Sequence, residues 1–354
     1  MRIQDASIGY APYSDTLDAP GDRRRFCFYA AAQGIEFEVI TQGTARRDVV
    51  FVAGTADITA WVDADPSVAI VYDIVDSYLA LPRWSVKSLG RGVAKRLSGE
   101  TSRLALSYRK AIEAMCVRAD AVVCSTEEQR RTILSHNDNV HVILDHHGAE
   151  VRKHKRSYEP HHPFRLVWEG LPYTLPAFGE ISGALERVGA RHPLEVHIVT
   201  DAQFHRYAGR FQCQGTERFA QRYLARPRMH EWRVDTLAEV VTSCDLAVIP
   251  AVLDDPMFAG KPENRLLLFW RMGMPVIASA TPAYKRAMAA AGLEMTCGDA
   301  SSWERMLERY ITDRKAREVA ARRGCAFVEV AHSESRLAEQ WDAVLASVGF
   351  DVGG

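Results

Sequence analysis

The chain has 354 residues, 47% of them hydrophobic and 25% charged, with a formal net charge of −1. That length exceeds one ordinary core and suits two domains of about 150–180 residues, and near-neutrality argues against bulk binding of nucleic acid. No apolar run approaches the roughly 20 residues of a membrane span, the opening MRIQDASIGYAPYSD has no signal-peptide core, and seven scattered cysteines fit buried thiols in a reducing, cytoplasmic compartment.

Short continuous apolar runs at 37–40, 49–53, 69–75, 121–125 and 140–144 predict buried strands, with helical patterns between them. Continuous rather than alternating runs suit parallel sheets covered on both faces, and so a doubly wound α/β domain. Ligands of such sheets sit beyond the strands' carboxyl ends. The stretch 9–25 (GYAPYSDTLDAPGDRRR) reads as a long loop leading into Arg23, Arg24 and Arg25. These arginines either face a ligand or decorate a helix end.

In VYDIVDSYLALP, Asp73 interrupts an apolar run and Asp76 ends it. A buried carboxylate needs a partner, so Asp73 reads as a structural hydrogen-bonder, while Asp76 and Tyr78 are better placed at an open site. Residues 85–115 are basic and amphipathic, which suits a solvated helix face, an acidic acceptor or peripheral membrane contact. Their last part belongs to a helix predicted over 104–119. Ser125 and Thr126 are expected to cap the next helix, with Glu128 completing a capping box.

Apolarity collapses at DHHGAEVRKHKRSYEPHHP, placing a linker near 150–163 and a domain boundary at 155/156. Half of the 12 histidines lie between His141 and His162, but without the spacing or Cys partners of a zinc site. His146 and His147 remain candidates for lining a cleft. A second α/β unit follows, with strands at 164–168, 194–200, 230–234, 246–250 and 274–279. Gly170 and Asp201 follow the first two of these, and Trp232 and Arg233 sit in the third.

The densest stretch is GKPENRLLLFWRMGMPVIASATPAY, residues 260–284. Pro262 suits the first helical position, Leu266, Leu267, Phe269 and Trp270 form an apolar face, and Gly273 ends the helix. Lys261 and Arg265, four apart, share one face at the positive end of the helix dipole. Cations there are unfavourable by about 0.3–1 kcal/mol each unless an anion binds. Glu263 and Asn264 lie between them as acceptors for sugar hydroxyls. The alternative is a solvated first turn.

This stretch resembles the donor-binding segment of GT-B glycosyltransferases of the family 4 type (glycosyl transferases group 1). The matching features are the G-x-P-V-[IV]-A-[ST] strand, here GMPVIAS, and a Lys-x-x-Asn-[Arg/Lys] variant formed by Lys261, Asn264 and Arg265. The family's paired glutamates would fall at Gly260 and Leu268, so they are absent. ADAVVCSTEEQ and the DHHG turn also resemble segments of these enzymes.

The resemblance implies a GT-B fold: two Rossmann-like doubly wound domains facing a cleft, over 1–155 (acceptor side) and 156–332 (donor side), with helix 333–354 crossing back and anchored by Trp341. It implies a retaining, metal-independent glycosyltransferase needing no cofactor, with a nucleotide-sugar donor and a glycan, lipid-linked or small-molecule acceptor. Lys261 and Asp76 take catalytic roles. Gly170, Asp201, Glu263, Asn264 and Arg265 join Lys261 at the donor, and Arg23, Arg24 and Tyr78 face the acceptor. Glu263 substitutes for the missing ribose contact, and the base rests near Trp232 and Arg233. A GT-B epimerase or phosphorylase, or a non-catalytic nucleotide- or glycan-binding relative, are the alternatives.

Overall fold

The computed structural model describes residues 1–40, 47–80, 107–206 and 212–352. The basic segment 85–115, with its expected membrane contact, lies outside them as far as residue 106. The chain divides into two compact units. One is Met1–His146 with Gly260–Pro262 and Glu334–Gly354, and the other is His147–Ala259 with Glu263–Ser333.

The first unit is built on a six-stranded parallel sheet: β1 Ile8–Ala11, β2 Glu38–Val39, β3 Val49–Ala53, β4 Ala69–Asp73, β5 Ala121–Cys124 and β6 Val140–Val142. Their order is β2-β1-β3-β4-β5-β6, so the chain reverses its direction of winding between β1 and β3. Strand β1 corrects the sequence reading, which has a loop from residue 9 onward. Gly9 and Tyr10 break the apolar run, and Ile40 and Val50 pack closely over the bare glycine. A Cβ there would stand 2.3 Å from Ile40 Cδ1 and 3.3 Å from Val50 Cγ2.

Alternate residues of the central strands feed two cores. Val50, Val52, Ile70 and Tyr72 pack with Tyr108, Ile112 and Met115 on one side. Val49, Phe51, Val71 and Val123 pack with Phe26, Tyr29 and Trp341 on the other. The helix Tyr108–Arg118 supplies the first set, and the helices Phe26–Gln33 and Glu334–Ser347 supply the second. Trp341 is fully buried, its ring 5.9 Å from Tyr29 and 5.9 Å from Phe26. Tyr29 also donates to Asp342 at 2.6 Å. Thr126 caps its helix as expected, but Gln129 rather than Glu128 closes the motif. It donates its backbone N–H to Thr126 Oγ1 at 3.1 Å, and its side-chain oxygen accepts from Ser125 N at 2.8 Å.

The second unit holds another six-stranded parallel sheet: β7 Phe164–Glu169, β8 Leu194–Thr200, β11 Arg228–Glu231, β12 Leu246–Ile249, β13 Val276–Ser279 and β14 Thr296–Cys297. The order is β11-β8-β7-β12-β13-β14. Counted within the unit this is 3-2-1-4-5-6, the dinucleotide-fold order, with its switch point between β7 and β12. A hairpin of β9 Gln203–Arg206 and β10 Gln212–Gly215 is added. That hairpin and β14 have no counterpart in the sequence reading.

The helix after β12 is Asn264–Arg271. It starts after Pro262, not at it, because Glu263 turns at the N-cap (φ −74, ψ 6). Lys261 therefore precedes the helix and does not share its face with Arg265. Gly273 ends the helix at φ 71. Met274 N donates to Phe269 O at 3.0 Å and Gly273 N to Trp270 O at 2.9 Å, a Schellman turn. Residues expected to form a linker pack here. Lys155, 9% exposed, donates its backbone N–H to Met272 O and its ammonium to Cys244 O at 2.6 Å. Burial lowers its pKa.

Because Trp341 fills one core of the first unit, Trp341→Ala should cost about 3–5 kcal/mol. Chemical denaturation followed by near-ultraviolet dichroism measures it. A loss below about 1 kcal/mol would detach this helix from the core.

Candidate functional site

The switch point of the second sheet is where a ligand is expected. Strand β7 ends there in Trp168 and Glu169, with Gly170 just beyond. Trp168 is fully buried, and the Arg265 guanidinium lies 5.3 Å from its ring centre, a cation–π contact. Arg265 Nε is 3.9 Å from Glu169 Oε2, beyond hydrogen-bond range. Among the described residues, none of the five N–H donors of Arg265 makes a hydrogen bond. Its side chain is 18% exposed.

Gly170 permits this arrangement. A Cβ on it would stand 2.7 Å from Arg265 Nη2 and 2.9 Å from Trp168 Cζ2. Trp232, just past β11, donates its indole N–H to Glu169 Oε1 at 3.0 Å. Glu263, at the N-cap of the Arg265 helix, is buried at 7% exposure. Tyr284, in the helix Pro282–Ala290, completes the cluster. Burial raises its phenol, Arg265 opposes the shift, and Glu263 and Glu169 reinforce it. Ser279 of the MPVIAS strand accepts from Ala251 N at 2.9 Å, tying β13 to the end of β12.

The first unit uses its polar residues differently. Arg25 is fully buried and grips Asp73 through Nε (2.7 Å) and Nη2 (2.6 Å). Its Nη1 donates to Ile143 O at 2.9 Å and to Asp145 at 3.1 Å. Burial opposes the Arg25 charge, but Asp73 and Asp145 outweigh it and raise its pKa. Asp22, also fully buried, accepts from the Tyr10 hydroxyl at 2.6 Å and from Tyr13 N at 2.8 Å. Asp73 is thus structural, as the sequence suggests, and Arg25 is committed to it.

No family model and no curated protein matches the sequence. Solved structures do. HepE of Anabaena, in complex with UDP, aligns over 96% of this chain and 100% of its own at TM-score 0.61 and 13% identity. WaaG, a glycosyltransferase involved in lipopolysaccharide biosynthesis, aligns over 95% and 99% at TM-score 0.55 and 13% identity. TarM aligns over 84% of this chain but 54% of its own, so this chain spans about half of TarM, at TM-score 0.56 and 13% identity.

The fold is GT-B.

Of the donor residues expected in this GT-B chain, the second unit brings Gly170 and Arg265 together. Asn264 opens the helix that carries Arg265. Asp201 is exposed just after β8, its backbone oxygen accepting from Thr216 Oγ1 at 2.6 Å. Lys261 counts with the first unit, where Ser77 Oγ donates to Gly260 O at 2.7 Å. Asp76 and Tyr78 flank Ser77 and are half-buried. The Tyr78 ring lies edge-on to Tyr108 at 5.7 Å. Arg23 donates to Asp18 O at 2.7 Å, and Arg24 is buried, its carbonyl accepting from His146 N at 2.8 Å.

The histidines of the crossing segment go separate ways. His146 stacks on Phe28 at 3.7 Å, and His161 pairs with Asp245 at 2.9 Å. Among the described residues no cluster of three His, Cys, Asp or Glu is arranged to hold a metal. Trp168 and Glu169 belong to the candidate cluster around Arg265 and were missed by sequence reasoning. The available signal is the tripeptide WEG at a strand's carboxyl end.

Gly170→Ala should push Arg265 off Trp168 while the sheet stays intact. UDP affinity measured by calorimetry is expected to fall about tenfold (~1.4 kcal/mol). Unchanged affinity would show that the close approach at Gly170 does not matter to binding.

Proposed function

We propose that this chain is a retaining glycosyltransferase that moves a sugar from a nucleoside-diphosphate sugar to a glycan, lipid-linked or small-molecule acceptor. The observation that carries the reading is Arg265: a charged, partly sheltered side chain at the switch point with five hydrogen-bond donors unused among the described residues. A guanidinium presents a planar fork that matches phosphate oxygens two at a time. The UDP in the HepE structure supports a nucleoside diphosphate as the ligand class.

In this reading Arg265 and Lys261 stabilise negative charge building on the departing diphosphate, so catalysis is electrostatic at the leaving group. Gly170 lets the backbone approach the phosphates, and Glu263 and Asn264 serve the sugar end of the donor. Asp76 acts at the acceptor hydroxyl, with Tyr78, Arg23 and Arg24 on the acceptor side. The reaction runs without a metal or cofactor, on the cytoplasmic side.

A second reading is a nucleotide-binding relative without turnover. It is favoured by Gly260 and Leu268 standing where the family's glutamates would be. Release of nucleoside diphosphate from a panel of sugar donors separates the two: turnover with any donor supports the enzyme, and binding without turnover across the panel supports the relative. Arg265→Ala and Lys261→Ala should each weaken UDP binding tenfold or more, about 1.4 kcal/mol. An unchanged dissociation constant would remove that residue from the donor site. Asp76→Asn should lower kcat by about 100-fold with donor KM nearly constant. Full activity would exclude it from chemistry.

A further inference from the structure

Glu169 offers one oxygen to each of two partners. Oε1 is fixed by the Trp232 indole at 3.0 Å, while Oε2 faces Arg265 Nε at 3.9 Å. The second distance is too long for a hydrogen bond, so charge alone links the pair. The two side chains are 13% and 18% exposed. A carboxylate so sheltered needs a cation, and Arg265 is the one beside it. With Oε1 held by Trp232, the donors of Arg265 make no hydrogen bond among the described residues.

A diphosphate has the same sign of charge as Glu169 and would compete with it for one guanidinium. We propose that Glu169 is a positioning residue for the donor. It balances Arg265 over Trp168 at a held-off distance, and the diphosphate then takes over the guanidinium against the opposing Glu169 charge. That opposition limits affinity and speeds departure of the nucleoside diphosphate after transfer. The inference rests on the donor-site reading above and adds a residue and a sign to it.

The sign makes it testable with the full chain, titrated calorimetrically with UDP and with inorganic pyrophosphate. Glu169→Gln removes the charge but keeps an oxygen for Trp232. It should tighten both ligands about tenfold and lower both KM and kcat for the donor. A merely structural role would not tighten binding. Glu169→Asp, which keeps the charge, should bind close to wild type. Trp232→Phe frees the carboxylate to close on Arg265 and should weaken pyrophosphate, a ligand without a base, by several-fold. Glu169→Gln binding equal to or weaker than wild type, with Arg265→Ala still impaired, would overturn the role of Glu169 and leave the donor site standing. Should Glu169→Gln not fold, unchanged pyrophosphate affinity in Trp232→Phe would overturn it instead. If Arg265→Ala binds UDP as wild type does, Arg265 leaves the donor site and the role of Glu169 falls with it, while turnover across the donor panel still decides the enzyme reading.

Discussion

Parallel strands buried on both faces leave a protein one place for polar chemistry, the row of loops where the strands end. The candidate site of this chain follows from that constraint. All five residues of β3 and all four of β5 are buried, so neither face of these two strands is free for a ligand. The second sheet obeys the same rule, and its order puts the opening between β7 and β12. Residues far apart in sequence, Glu169, Trp232 and Arg265, meet at that opening because each sits beside a strand's carboxyl end or the helix that follows one.

Two arginines show how differently the two units use a charge. Arg25 has no contact with solvent and spends its donors on Asp73, Asp145 and a carbonyl. It locks the ends of β4 and β6 to the helix Phe26–Gln33, and removing one partner of such a pair leaves an uncompensated buried charge worth about 3–5 kcal/mol. Arg265 is held by a ring face and a distant carboxylate. The first arrangement makes a scaffold. The second keeps a cation in place without satisfying it, which suits a group that must accept an arriving ligand.

Most of the architecture is readable from the residues, because continuous apolar runs mark strands covered on both sides. The predicted runs at 49–53 and 194–200 coincide with β3 and β8. Strand β1 escaped because glycine and tyrosine dilute its pattern, and with it went the position of the first sheet's switch. The helix start was misplaced because Pro262 is a start signal that works equally well just ahead of the cap. At the site, Gly170 and Arg265 are legible from local motifs. Glu169 is not, since its meaning depends on Trp232 arriving from a strand 63 residues away, and neighbour relations of strands are not written in either strand alone.

The return of the chain to its beginning has a consequence for synthesis. Trp341 and Leu345 belong to the same core as Phe26 and Phe51, so that core stays open at the ribosome until the closing helix has emerged. The strands of the intervening unit's sheet all lie between Phe164 and Cys297, so its whole sheet is synthesised before that helix. At about 5–20 residues per second, the nascent amino-terminal half waits many seconds with an unfilled apolar face.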